Sequence, residues 1–147
     1  MRRLDNRKVT RRGAAAVEMA IVLPIFFMLI MGIVEFGRAM MVGQLVTNAA
    51  RFGARQSSVD GATNATVTSD VKTFVSSTVG VAASDVTVTI AVTPGTGNPD
   101  PANNLSVAQA KDVCSVSVKV PYNKVAYVAG RYLAGKDLKG TCIMRHE

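Results

Sequence analysis

The chain has 147 residues, 48% of them apolar, and a net charge of +7. That length holds one compact domain, or a membrane helix followed by a smaller domain. The charge excess sits in the first twelve residues, where Arg2, Arg3, Arg7, Lys8, Arg11 and Arg12 face Asp5 alone, leaving only +2 elsewhere. A nucleic-acid site needs a basic face on a folded surface with interleaved aromatics; only 5% of residues are aromatic and none lies within the basic run. No nucleic-acid partner is expected.

Met19 to Val34 reads MAIVLPIFFMLIMGIV without a charge, and extension back to Gly13 adds only small or apolar residues and Glu18. As a helix, Gly13 to Val34 spans about 33 Å at about 1.5 Å per residue, which matches a hydrocarbon core of about 30 Å. Six cations precede this segment and Arg38 alone follows it closely. The positive-inside rule therefore predicts a cytoplasmic N-terminus and an extracytoplasmic remainder. A cleaved secretory signal fits less well: the apolar run is longer than the usual range of about 7 to 15 residues, and no A-x-A site follows it. The pairs Arg2, Arg3 and Arg11, Arg12 lack the rest of a twin-arginine motif. Two residues in the run need reasons. Glu18 is a carboxylate at the cytoplasmic edge, either engaged with a partner or merely favouring the helix dipole from the first turn. Pro24 removes a backbone hydrogen bond and predicts a helix kink, although membrane helices tolerate proline.

Helical periodicity continues beyond the membrane. Val42, Leu45, Val46, Ala49 and Phe52 form one apolar stripe, and Glu35 and Arg38 are spaced for an i, i+3 pair. The pattern predicts one long helix over 14–56 with its transmembrane part at 14–34. The outer stripe must pack on something, most simply the chain's own domain.

The stretch RRGAAAVEMAIVLPIFFMLIMGIVEFGRAMM, followed by LVTNAARFGAR, closely resembles the TadE-like pseudopilins of the tight-adherence (Flp) pilus system. The features are a basic pair, Gly, small residues, Glu five after the Gly, an apolar run with Pro, GIVEFGRA, then NAAR and GAR. The resemblance covers Arg11 to Arg55. It implies that residues 1–13 are a leader that a prepilin peptidase cuts between Gly13 and Ala14 at the cytoplasmic face. Glu18 then becomes the fifth residue of the mature chain and an assembly residue. Met19 stands where such proteins often carry Phe. Removing the basic leader deletes the positive anchor and creates an α-amino group of pKa about 8. Glu18 of one subunit can pair with that amine on a neighbour, offsetting the cost of both charges in apolar surroundings. The implied location is a bacterial inner membrane, with other pilin or pseudopilin subunits and the assembly machinery as partners.

Downstream, 57–66 is polar and turn-rich and reads as a linker to an α+β domain over 67–147. Asp70 to Val79 predicts a short amphipathic helix capped by Thr68 or Ser69 and ended by Gly80. Asp85 to Thr93 alternates as a half-buried strand. Pro94 to Asn104 is a loop by composition. Val113 to Val120 and Leu138 to Arg145 complete an expected three-stranded antiparallel sheet. Val125, Val128, Ala129 and Leu133 predict another short helix over Lys124 to Leu133. Cys114 and Cys142 fall on apolar strand faces; the expectation is a disulfide in an oxidising compartment, with two buried thiols as the alternative. By the chain-entropy model such a bridge stabilises by about 3.5 kcal/mol.

The sequence carries no catalytic or metal-binding motif. There is no GxSxG, HExxH or phosphate loop, and His146, the single histidine, reads as a tail residue. Asn98, Asp100, Asn103 and Asn104 do not have EF-hand spacing. Asn64 and Asn104 sit in N-x-[ST] sequons. No enzyme activity and no cofactor are expected. The expected function is a minor pilin-like structural subunit. The contrasting class is an unprocessed, membrane-tethered extracytoplasmic binding module.

Overall fold

A computed structural model of the chain describes residues 7–126, 133 and 135–147, with side chains from residue 13 onward. Two helices, α1 (Arg7–Ser57) and α2 (Asn64–Val79), precede three strands, β1 (Thr87–Thr93), β2 (Val113–Pro121) and β3 (Asp137–Arg145). The fold is α+β.

Helix α1 is unbroken through Gly13 and Pro24. It is already running at Arg7, within the expected leader. Pro24 has no N–H, so the Ala20 carbonyl loses its helical donor. At the other end the terminal carbonyls are taken up locally: Ser57 Oγ donates to Gly53 O at 2.8 Å, and the Ser58 N–H to Ala54 O at 3.1 Å. The chain reverses through Gly61, at φ 82°.

Helix α2 starts at Asn64, six residues before the expected Asp70, so the connection is shorter than the linker read from composition. Thr63 is the N-cap, its Oγ1 accepting from the Thr66 N–H at 3.2 Å. The added turn brings Val67 into the row Val71, Val75 and Val79, all buried at i, i+4 spacing. Gly80, at φ 81°, closes the helix with its N–H on Ser76 O.

The sheet order is β1-β2-β3, fully antiparallel. Strand β2 is central, and Cys114, Val116, Val118 and Val120 on its inner face are fully buried. They pack on the outer half of α1, where Val42, Val46, Ala49, Ala50 and Ala54 are equally buried. The outer half of the long helix is thus a core element of the α+β domain. Strand β3 crosses α1 so closely that a Cβ on Gly140 would stand 2.6 Å from Thr47 Cα, which only glycine permits. The expected helix over Lys124–Leu133 is replaced at its start by a 3₁₀ turn at Tyr122–Lys124; residues 127–132 and 134 lie outside the described residues.

Candidate functional site: the bare apolar helix and its neck

From Gly13 to Leu29 every side chain of α1 is exposed. Val22, Leu23, Ile25, Phe26, Phe27 and Met28 are 39–65% exposed and, at about 100° per residue, lie all round the helix. A helix that is apolar on every face requires an apolar solvent or a protein bundle. It is long and apolar enough to cross a membrane and serves as a single-pass anchor. Gly13 lies inside the helix, and a Cβ there would meet nothing within 4 Å. Its missing side chain therefore has no packing cause among the described residues. Glu18 is exposed on the same bare segment, without a hydrogen-bond or ion-pair partner among the described residues.

The domain closes on the helix at Glu35, which is only 2% exposed. Tyr122, fully buried, donates its hydroxyl to the Glu35 backbone carbonyl at 3.0 Å. Burial raises the Tyr122 pKa, and the Glu35 carboxylate adds to this, because both disfavour a phenolate. Both Glu35 carboxylate oxygens are buried without a hydrogen-bond partner among the described residues. The guanidinium of Arg38 reaches Val125 O at 3.3 Å and Val79 O at 3.4 Å. It ties the end of α2 and the segment after β2 to the helix just where the bare part ends. The spacing of Glu35 and Arg38 indicated a pair; these longer reaches across the fold were not legible from it.

The expected disulfide is absent: Cys114 and Cys142 are free thiols. The register gives the reason. Cys114 is opposite Met144, and Cys142 is opposite Val116. The two cysteines share a face but stand diagonally, at a typical Cα separation of about 7 to 8 Å, beyond the usual disulfide range of about 4.4 to 6.8 Å. Burial raises the Cys114 pKa, with the Asp112 charge adding.

His146 is not a loose tail residue. It is 3% exposed, its N–H donates to Asp112 O at 2.8 Å, and its carbonyl accepts from the Lys111 N–H at 3.1 Å. The loop amides serve the fold. Asn103 Oδ1 accepts from the Val92 N–H, and Asn98 Nδ2 donates to Asp112 Oδ1. Asn104 Oδ1 caps the following 3₁₀ turn and Asp100 Oδ1 accepts from the Ala102 N–H. Asn64, in the first sequon, bridges to Asn103 O and the Leu105 N–H. Among the described residues no group of three His, Cys, Asp or Glu is placed to hold a metal ion.

Compared with known families, residues 13–55 match the TadE-like protein family, under a third of the chain. The matched stretch takes in the bare helix, the neck residues Glu35 and Arg38, and the outer half of α1, and stops before the turn into α2. No curated protein and no solved structure matches.

Proposed function

We propose that the chain is a minor pilin-like (pseudopilin) subunit for assembly of a tight-adherence, Flp-type pilus, acting as a structural part rather than as a catalyst. The observation that carries this reading is the coincidence of the family match with the bare helix: the matched residues 13–55 include the whole uncovered apolar segment and the part of α1 that the domain grips. The basic run on one flank supports a cytoplasmic N-terminus in the inner membrane, with the α+β domain outside. A prepilin peptidase cuts after Gly13, and the freed helix enters a bundle of neighbouring subunits.

The helix runs through Gly13 from Arg7, so cleavage requires the peptide to open locally. Glycine lowers the cost, being less favourable in a helix than Ala by about 0.5 to 1 kcal/mol. Intact mass of protein extracted from membranes with an active peptidase tests the reading. The expected species begins at Ala14, and Gly13→Val blocks its formation, because a branched side chain replaces hydrogen at the scissile residue. Recovery of a chain still carrying the basic leader under those conditions overturns the processing step and leaves a permanent tether.

A further inference from the structure

We propose that neighbouring anchored copies associate side by side through a charged contact outside the membrane, the basic face of α1 on one copy meeting an acidic hollow at the α1–α2 turn of the next. The inference rests on the subunit reading above and adds a contact distinct from the bare helix.

The basic face consists of Asn48, Arg51, Phe52 and Arg55, which line a shallow cavity of about 210 Å³. Arg51 and Arg55 are exposed, and neither side chain has an ion-pair or hydrogen-bond partner among the described residues. Like charges at i, i+4 disfavour a helix, so their own helix gains nothing from the adjacency. Phe52 remains 38% exposed while its ring stacks on Phe74 at 5.4 Å. Lipid headgroups are too far away to neutralise these cations: Arg51 lies about 24 Å along the helix axis beyond Glu35, at about 1.5 Å per residue.

The acidic hollow has a volume of about 330 Å³, with Gln56, Asp60 and Asp70 among its lining residues. The Asp60 side chain is 91% exposed, with His146 Nδ1 3.8 Å from its Oδ1. Asp70 accepts one hydrogen bond, from Gln56 Nε2 at 3.0 Å, leaving it further acceptor capacity. Gln56 Oε1 has no hydrogen-bond partner among the described residues.

The Gln56–Asp70 bond sets the hollow at the level of Arg55, the preceding residue of α1. Phe52, one turn before Gln56, borders the hollow, whereas Arg55 points about 100° round the helix from Gln56, and no ion pair joins Arg51 or Arg55 to Asp60 or Asp70 among the described residues. Copies anchored by the same membrane segment therefore present opposite charges to one another at one height. Such a contact joins unlike faces and propagates from copy to copy.

The test uses full-length chains carrying two different affinity tags, extracted in mild detergent, with co-capture as the readout. Copies with Arg51→Glu and Arg55→Glu carry acid on both faces; copies with Asp60→Lys and Asp70→Lys carry base on both. Each variant should lose self-capture by about tenfold, since like charges face each other across the contact, and the mixture of the two should recover it. Recovery also shows that both variants are folded. Self-capture of either variant at the wild-type level, or a mixture that fails to recover, overturns the proposal; the second outcome, with normal wild-type capture, points to an acidic partner other than this chain. Leader cleavage, read by mass in the same preparations, reports on the pilin reading independently.

Discussion

The Tyr122 hydroxyl donates to the Glu35 carbonyl across 87 residues of sequence. The bond joins the end of the central strand to the first buried residue of the anchor helix. A pull or tilt of the membrane helix is therefore delivered to the domain at its closed end. Tyr122→Phe keeps the ring and removes the donor, leaving a buried carbonyl without this partner. The expected cost is about 1 to 2 kcal/mol, a loss of about 4 to 8 °C per kcal/mol for a domain of this size. Thermal unfolding of the detergent-solubilised chain checks it, and an unchanged midpoint would show that the neck is held by packing and Arg38 alone.

Gly140 and Gly53 separate two kinds of close approach. A Cβ at Gly140 meets backbone, Thr47 Cα and N and Val46 O, all within 2.7 Å. At Gly53 it meets methyls of Val71 at 2.7 Å and Val116 at 3.0 Å, and alanine also improves helix propensity there by about 1 kcal/mol. Gly140→Ala should lower stability by about 1 to 3 kcal/mol, and Gly53→Ala by clearly less. Denaturant titration of both variants gives the order, and the reverse order would mean that β3 shifts on α1 more easily than the valines repack.

Asp112 predicts an acid-sensitive loop. Its carboxylate accepts from the Gln109 N–H at 2.8 Å, the Gly95 N–H at 2.7 Å and Asn98 Nδ2 at 2.6 Å, and these bonds hold its pKa below the ordinary 3.8. A folded-state pKa below the unfolded one stabilises above the unfolded value and is lost as pH falls through the folded value. Stability should decline as pH drops below about 4, and Asp112→Asn should flatten that decline while lowering stability at neutral pH. A variant that keeps the wild-type acid slope assigns the loss to other carboxylates.

The thiols should differ in reactivity. Cys114 is fully buried with a raised pKa, whereas Cys142 is partly exposed on an edge strand. Since the thiolate is the nucleophile, alkylation of the folded chain should label Cys142 first and Cys114 only on unfolding. Peptide mapping without reductant should find no linked pair; a Cys114–Cys142 peptide would require β3 to sit in another register.

The strands and the long helix were legible because their signals are periodic: Val86 to Val92 alternates, and Gly13 to Val34 is apolar throughout. What failed was information that periodicity does not hold. Alternation put Cys114 and Cys142 on the correct face but carries no register, and an offset of two residues separates a bridge from two thiols. Residues 57–66 read as a linker from their polar, turn-rich composition, with Thr68 or Ser69 as the cap, yet Thr63 is the cap and Val67 packs. His146 looked like a tail because its burial depends on the loop before β2, which folds against it through Asp112. In the candidate site, Gly13 and Glu18 were legible as a motif, while Tyr122 was not, since one aromatic residue after a strand has no pattern around it.

Glu18 should matter for assembly and not for the fold of the domain. It stands on the bare segment, far along the helix from the neck, without a partner among the described residues. In the full chain α1 is already running at Arg7, so Glu18 lies well past the first turn, and the helix dipole has little hold on it there. After a cut at Gly13 it becomes the fifth residue, about one turn from a new amine. If it pairs with that amine on a neighbour, Glu18→Ala leaves a charge unpartnered in low dielectric. The cost is about 3 to 5 kcal/mol, a factor of over about a hundred in association. If it serves only the dipole, the loss is about 0.3 to 1 kcal/mol and assembly barely changes. Pilus yield or subunit crosslinking in a Glu18→Ala strain decides between the two, with cleavage and protein level measured separately. Normal assembly at normal protein level would leave only the dipole role.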